Sequence, residues 1–234
     1  MKILGIIPAR AGSKRIRGKN MKLLCGKPLT QYAIECALST QLLDSIVVSS
    51  DDTKVLELAT QFENIIPLRR PDELSTDTAP AINYVKHTLA WMKKNKVQTF
   101  DIVVVIQPTS PLTSPKDIDA TIRLLLNDDN ADSAVSVMRL NQITHPFKLK
   151  IIEDNWLKPF LKEEKIIFQA NELPDVYARN GAVYAARMSN IEKGIIAGEK
   201  CLAHTMPEER SIDINEPIDL EFAEFLLKRK IAHS

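Results

Sequence analysis

The chain has 234 residues, of which 44% are hydrophobic and 26% are charged, a composition typical of a globular protein with one large α/β domain. Its formal net charge of +1 gives no general attraction to nucleic acid or to an anionic membrane, so we expect neither as a partner. Its three cysteines lack metal-ligand spacing, and we find neither a signal peptide nor an apolar run of membrane length, which favours the cytoplasm and no disulfides.

The first predicted element is a buried strand that ends in a basic loop. Residues Ile3 to Ile7 form an apolar run bounded by Pro8, typical of a parallel strand buried on both faces. The loop that follows carries five basic residues, Arg10, Lys14, Arg15, Arg17 and Lys19, together with Gly12 and Gly18. Ligands of open α/β sheets bind at this end of the strands, and glycines let backbone N–H groups face phosphate oxygens. The loop therefore predicts a polyphosphate site; the alternative is a solvated basic loop.

Helices and strands then alternate along the chain. Strands are predicted over Ser45 to Ser49, Ile65 to Leu68, Ile102 to Ile106 and Ser133 to Met138. Helices are predicted over Pro28 to Thr40, after Asp51 or Asp52, over Thr78 to Lys94 and around Ile118 to Leu125. The run Ile102 to Ile106 is the most continuously apolar, so we place it at the centre of the sheet. The alternation predicts a doubly wound, mostly parallel α/β sheet.

The pattern changes over residues 139–176. Leu149, Ile151 and Ile152 indicate a strand, and apolar residues follow without helix–strand alternation: Trp156, Pro159, Phe160, Ile166, Ile167 and Phe168. We interpret this segment as an arm inserted into a single domain, 1–234, that binds a second copy to form a homodimer. The alternative is a hairpin folded over its own sheet. A strand at 180–185 and a last helix follow, with Ile218, Phe222, Phe225 and Leu226 expected to be buried.

Several short motifs occur in the order found in one enzyme family. They are Ile-Pro-Ala-Arg-Ala-Gly-Ser-Lys at 7–14, Lys19-Asn20, Gly26-Lys27-Pro28, Arg70-Pro71, Gln107-Pro108-Thr109-Ser110-Pro111, Asn180-Gly181-Ala182-Val183-Tyr184 and Ser211-Ile212-Asp213-Ile214. The chain resembles the CMP-sialic acid synthetases, or acylneuraminate cytidylyltransferases, including legionaminate-type members. The related Kdo cytidylyltransferases are less similar, because their first loop has Ser-Thr-Arg and ends in Lys-Pro.

The resemblance implies a Rossmann-like nucleotidyltransferase fold that transfers CMP from CTP to the anomeric hydroxyl of a nine-carbon 2-keto sugar acid, with Mg²⁺ and release of pyrophosphate. By position, it implies nucleotide contacts from Ala9, Arg10, Gly12, Ser13, Lys14, Lys19, Asn20, Arg70, Ala79, Ala81 and Gln107. Arg10, Lys14, Lys19 and Asp213 would be the catalytic residues. Their charges would stabilise the negative charge that develops on the phosphate oxygens.

The resemblance also implies a metal site and an acceptor site. Asp213 matches a metal-binding aspartate. Asn215 stands where a second aspartate is common, and two alternative roles are equally expected for it, as a metal ligand or as a helix cap. The implied acceptor residues are Gln107, Lys148, Gln169, Asn180 and Tyr184, with Lys148 as the carboxylate partner. Ala170 replaces an expected arginine, so either Lys165, Gln169 or Arg179 compensates or the acceptor is of the legionaminate type. No general base is assigned, and the alternatives are a sugar-phosphate nucleotidyltransferase and a CTP-binding module without turnover.

Overall fold

The computed structural model describes residues 1–161 and 173–232. For residues 231 and 232, it describes the backbone only. Its elements, in chain order, are β1 Ile3–Pro8, β2 Leu23–Leu24, β3 Lys27–Pro28, α1 Leu29–Leu38, β4 Ser45–Ser50, α2 Thr53–Ala59, β5 Ile65–Arg69, α3 Ala81–Lys96, β6 Ile102–Ile106, α4 Pro115–Asn127, β7 Ser133–Arg139, β8 Lys150–Glu153, β9 Trp156–Pro159, β10 Tyr177–Arg187, α5 Met188–Glu192, β11 Cys201–Thr205 and α6 Pro217–Ala232. Apart from the two-residue strands β2 and β3, which were not predicted, the predicted sequence of strands and helices up to β7 is confirmed.

Seven strands form one mixed, mostly parallel sheet in the order β11-β7-β10-β6-β1-β4-β5. Strand β1 pairs in parallel with both β4 and β6, whereas β10 runs antiparallel between β6 and β7. The predicted central position of β6 is confirmed, since three strands lie on each side of it. The carboxyl ends of β1, β4, β5 and β6 therefore share one edge of the sheet, where loops 9–20, 70–80 and 107–114 meet.

The core has two apolar layers, one on each face of the sheet. Ile3 and Ile7 of β1 join one layer with residues of α1 and α4, whereas Leu4 and Ile6 join the other with residues of α3. This alternation follows from the pleat of a strand, which directs successive side chains to opposite faces. Helices cover both faces, so the doubly wound prediction is confirmed.

Three further details of the secondary structure differ from the sequence prediction. Helix α3 begins at Ala81 rather than Thr78, because Pro80 occupies the N-cap with ψ of 140° and the residue before a proline avoids helical angles. Strand β11 was not predicted, and it adds to β7 at the edge of the sheet with half-exposed residues. The short helix α5 was also not predicted.

The predicted buried face of the last helix is wrong. Ile218, Phe222 and Phe225 are 66%, 49% and 58% exposed, and Leu226 is only half-buried. Helix α6 instead packs through Leu220, Ala223 and Leu227 on a small cluster formed by Ile16, Leu24, Leu29 and Ile214. The buried side therefore follows the spacing of 220, 223 and 227, which also orients the segment that contains Ile214.

The first part of the predicted arm is a hairpin. Among the described residues, strands β8 and β9 pair only with each other, and all their residues are exposed, including Ile152 at 74% and Trp156 at 73%. The described residues thus form a projecting hairpin rather than one folded over the sheet. Ile166, Ile167 and Phe168 of the predicted apolar set lie outside the described residues, and the dimer contact stays a prediction.

Candidate active site

A cavity of about 470 Å³ opens at the edge of the sheet where the parallel strands end. Its lining includes Pro8, Arg10, Ser13, Lys14, Arg15, Lys19, Asn20, Arg70, Leu74, Thr76, Asp77, Ala79, Ala81, Tyr84, Gln107 and Thr109. Except for Ala9 and Gly12, every residue predicted to contact the nucleotide lines this cavity. Ala9 is fully buried at the base of the loop, and Gly12 is exposed in it. The structure therefore brings together residues that are far apart in sequence.

The basic loop is held in place by its own backbone contacts. The buried Asn20 donates from Nδ2 to the carbonyl of Arg10 at 2.8 Å, and its own carbonyl accepts from Thr30 Oγ1 at 2.9 Å. Gly18 adopts φ of +63°, a left-handed conformation that glycine tolerates best. Asn20 thus fixes the curvature of the loop that presents Arg10 and Lys14.

Asp77, which the sequence analysis did not predict as a site residue, pairs with two cations of the basic loop. Arg10 Nη1 lies 2.6 Å from Asp77 Oδ1, and Lys14 Nζ lies 2.7 Å from Asp77 Oδ2. Hydrogen bonds from Lys14 and then Arg10 lower the pKa of Asp77, so it is anionic at neutral pH. Its only sequence signal is its place in loop 70–80, which ends up beside the basic loop. A phosphate group can replace this carboxylate, because both are anions that accept charge-assisted hydrogen bonds.

Lys19 links the basic loop to residues 211–215, the segment that precedes α6. Its Nζ donates to the carbonyl of Ile214 at 2.7 Å. Burial lowers the pKa of Lys19, whereas the nearby Asp213 raises it. Lys19 is therefore a half-buried cation next to the predicted metal ligand.

Arg70 also lines this cavity. It is buried, donates from Nε and Nη2 to the Oγ and carbonyl of Ser49 at 3.1 and 2.7 Å, and lies over the Tyr84 ring at 4.5 Å. Burial lowers the pKa of Arg70, although its guanidinium stays charged. Ala79 and Ala81 line the same cavity as this stacked pair, and their side chains are short.

Asp213 lies on a tightly held segment. The backbone N–H of Ile214 donates to Thr109 at 2.8 Å, and Asn215 Nδ2 donates to Asp213 Oδ2 at 2.7 Å. The Oδ1 atom of Asn215 accepts from Arg15 at 2.8 Å. The cap of α6 comes instead from Asp219, which accepts from the backbone of residues 215 and 216. Asn215 therefore orients Asp213 in this conformation.

A buried ionic cluster anchors the same segment, and sequence analysis missed it. Asp117, at the first turn of α4, accepts from Arg210 Nε and Nη2 at 3.1 and 2.8 Å and from His204 Nε2 at 3.1 Å. Burial alone raises the pKa of Asp117, but these bonds and those from Ser114 hold it below its ordinary value. Because Arg210 precedes residues 211–215 directly, this cluster fixes the start of the segment that carries Asp213.

A second cavity of about 340 Å³ adjoins the first. Its lining includes Ala81, Tyr84, Val105, Gln107, Arg179, Tyr184, Ile196 and Ala197, of which Ala81, Tyr84 and Gln107 also line the first cavity. Of the predicted acceptor residues, Gln107 and Tyr184 meet here. Lys148 is exposed on the 3-10 turn Pro146–Lys148 and lines neither cavity, and Gln169 lies outside the described residues.

Asn180, another predicted acceptor residue, is buried, lines neither cavity and has its amide fully engaged. Its Oδ1 accepts from Ser136 Oγ at 2.6 Å, and its Nδ2 donates to Ser211 Oγ at 2.9 Å. The next residue, Gly181, has φ of +78°, and a Cβ there would lie 3.4 Å from Asp213 Oδ2. In this conformation the Asn-Gly pair therefore packs the turn of β10 against the Asp213 segment.

Metal binding at this site depends on the donor side chains described above. In the described ranges, no three His, Cys, Asp or Glu side chains are grouped to hold a metal ion by themselves. A Mg²⁺ ion that also binds substrate phosphates needs only one or two protein carboxylates, and Asp213 satisfies that condition.

Within residues 1–161 and 173–232, no helix is long and apolar enough to cross a membrane.

Comparison with known proteins agrees with this architecture. The chain is 35% identical over 97% of both lengths to a CMP-N,N'-diacetyllegionaminic acid synthase of Legionella pneumophila. It is 30% identical over 98% of its length to an N-acylneuraminate cytidylyltransferase of Escherichia coli, of which it covers 53%. A solved structure of CMP:2-keto-3-deoxy-manno-octonic acid synthetase complexed with CTP shares the fold, with a TM-score of 0.72, 17% identity and coverage of 98% of this chain and 100% of that one. The sequence profile described as Cytidylyltransferase matches residues 4–227, and the chain therefore belongs to the cytidylyltransferase family.

Proposed function

We propose that this protein transfers CMP from CTP to the anomeric hydroxyl of a nine-carbon 2-keto sugar acid and releases pyrophosphate. The observation that carries the proposal is the pair of adjoining cavities. One is lined by Arg10, Lys14, Lys19 and Arg70, as a triphosphate requires, and the other provides room for an acceptor beside it. The relatives named above as synthases of CMP-legionaminic acid and CMP-neuraminic acid support a sugar acid as that acceptor.

In the proposed complex, the triphosphate lies along the basic loop. Arg10 and Lys14 exchange Asp77 for phosphate oxygens, and Lys19 faces the α-phosphate side next to Asp213. The cytosine lies by Ala79 and Ala81, near the Arg70–Tyr84 stack. The anomeric hydroxyl of the acceptor loses its proton to solvent as its oxygen bonds to the α-phosphorus. The bond from the α-phosphorus to the oxygen that bridges it to the β-phosphorus breaks, and pyrophosphate leaves with that oxygen. Catalysis then depends on alignment and on cationic stabilisation of the phosphate oxygens.

Mg²⁺ belongs to this proposal as well. Asp213 would hold it together with substrate phosphates, and the ion would supply positive charge to the phosphate oxygens. Asn215 remains a predicted ligand, although its oxygen accepts from Arg15 in the structure and would have to turn toward the metal. Meanwhile Asn215 Nδ2 and Gly181 restrict the position of the Asp213 carboxylate.

The homodimer and the cytoplasmic location also remain proposals. The exposed hairpin, with Trp156 and Phe160 at 73% and 58% exposure, is the surface we assign to a second copy. Sedimentation of a variant with Trp156→Lys and Phe160→Lys should show monomers where the unmodified protein shows dimers. Equal sedimentation of both proteins would contradict this assignment. CTP is available in the cytoplasm, and the three cysteines, all in the described ranges, are free.

The proposed reaction is tested by supplying CTP and Mg²⁺ with a panel of acceptors. N-acetylneuraminate and N,N'-diacetyllegionaminate should give a CMP-linked product and pyrophosphate, whereas a hexose 1-phosphate should not. Turnover with the hexose phosphate alone would instead indicate a sugar-phosphate nucleotidyltransferase. CTP binding without turnover on any acceptor would indicate a binding module.

A further inference from the structure

We propose that Arg179 binds the carboxylate of the acceptor and thereby restricts the enzyme to acidic sugars. This inference rests on the proposed function. It differs from the expectation that family resemblance gives, which assigns the carboxylate to Lys148.

The fold places Arg179, which is exposed to solvent, in the wall of the second cavity. Strand β10 pairs regularly with β7 at Arg179 and again at Tyr184, but the register shifts between them. This irregularity contains the Asn180-Gly181 turn, which is fixed by Ser136 and Ser211. Irregularities of this kind redirect side chains at sheet edges and active sites. In a regular strand, two residues that are five positions apart face opposite sides of the sheet. Because of the irregularity, Arg179 and Tyr184 line one cavity.

Arg179 is the charged member of that cavity's described lining. The other lining residues are apolar or neutral, and the polar ones, Gln107, Tyr84 and Tyr184, can supply hydrogen bonds to hydroxyl groups. Burial raises the pKa of Tyr184, the nearby Arg179 opposes that shift and Asp213 adds to it, which agrees with the proximity of both charges. The described lining of this cavity therefore offers an entering anionic group one guanidinium and no carboxylate, while Asp213 lies near Tyr184 outside that lining.

The guanidinium of Arg179 is also uncommitted. Within residues 1–161 and 173–232, it makes neither a side-chain hydrogen bond nor an ion pair. By contrast, Arg139 pairs with Asp175, and Arg187 donates to the carbonyls of Leu125 and Ala131. A guanidinium forms two parallel hydrogen bonds to a carboxylate, a geometry that a lysine does not reproduce.

The alternative cations are less suited to this role. Arg10 and Lys14 face the first cavity, where both pair with Asp77. Lys148 lies on a turn that contributes to neither cavity. The acceptor's carboxylate is therefore best matched by Arg179, with Gln107 between it and the nucleotide cavity.

The test combines a change in the protein with a change in the substrate. Arg179→Gln and Arg179→Lys are compared with Arg123→Gln, which removes an exposed arginine on α4 that lines neither cavity. We expect Arg179→Gln to raise KM for N-acetylneuraminate by about 10- to 100-fold, the loss typical of a charge-assisted hydrogen-bonded pair, with KM for CTP unchanged. Arg179→Lys should recover part of that loss, and Arg123→Gln should match the unmodified protein.

The methyl ester of N-acetylneuraminate separates recognition from a merely structural effect. For the unmodified protein, KM for the ester should exceed KM for the acid by about the factor by which Arg179→Gln raises KM for the acid. For Arg179→Gln, KM should be the same for acid and ester. The inference would be overturned if Arg179→Gln showed the same increase in KM from acid to ester as the unmodified protein. It would also be overturned if that increase were absent in Lys148→Gln instead.

The same comparison made by titration calorimetry in the presence of CMP needs no turnover. An unmodified protein that turns over no sugar acid would contradict the proposed function, while the calorimetric comparison of acid and ester would still support or overturn the role of Arg179.

Discussion

Replacing Asp117 by asparagine tests whether the buried ionic cluster holds the segment that carries Asp213. The side chain of Asp117 is 2% exposed, and its carboxylate accepts two bonds from Arg210, one from His204 and two from Ser114. Asparagine has nearly the same shape, but it provides one acceptor oxygen and no charge. Because Arg210 leads directly into residues 211–215, the loss should affect both stability and turnover.

The expected cost follows from burial and from the partners left behind. Breaking a buried ion pair by removing one partner costs about 3–5 kcal/mol. Arg210 and His204 are 32% and 22% exposed, so water compensates them in part. We therefore expect a loss near the lower limit, about 3 kcal/mol of unfolding free energy. For a chain of this size, that lowers the Tm by roughly 6–12 °C.

Calorimetry across a pH series also tests the sign of the electrostatic effect. Hydrogen bonds hold the pKa of Asp117 below its unfolded value of about 4, so the stabilisation is complete above that pH and declines as the pH falls toward the folded-state pKa. The difference in Tm between the unmodified protein and Asp117→Asn should therefore shrink below about pH 4. Asp119→Asn, on the same helix, is the matched control. Equal Tm values for both variants, or a difference that grows in acid, would refute this reasoning.

Three other substitutions test separate parts of the site. Asp77→Asn removes the anion that competes for Arg10 and Lys14, so CTP should bind a few-fold more tightly by calorimetry, and weaker binding would contradict the exchange. Asp213→Asn should lower turnover with little change in CTP affinity, and an unaltered dependence of rate on Mg²⁺ would count against the metal assignment. Gly181→Ala forces a Cβ onto a residue with φ of +78° beside Asp213, which should cost about 1–2 kcal/mol of stability; an unchanged melting curve would refute that estimate.

Sequence patterns predicted the elements whose burial is complete. The continuous apolar run of β6 indicated a central strand because both of its faces are covered by helices. Strand β11 was not predicted, because this edge strand is half-exposed and contains polar residues such as His204. Helix α6 has apolar residues on several sides, so its pattern did not distinguish the packed residue Ala223 from the exposed Phe222.

The candidate site was predictable where its residues are local to one loop. Arg10 and Lys14 follow a buried strand directly, and that order predicts a phosphate site. Their pairing with Asp77 and the pairing of Asp117 with Arg210 depend instead on tertiary contacts between distant segments. Such pairs leave no local spacing signal, and only the fold reveals them.

The central claim is that the basic loop binds the triphosphate of CTP. A crystal structure of the protein with CTP tests it most directly. The account predicts phosphate oxygens bonded to Arg10 and Lys14 in the first cavity, with Asp77 displaced from both. A nucleotide bound elsewhere, with the Asp77 ion pairs intact, would contradict it.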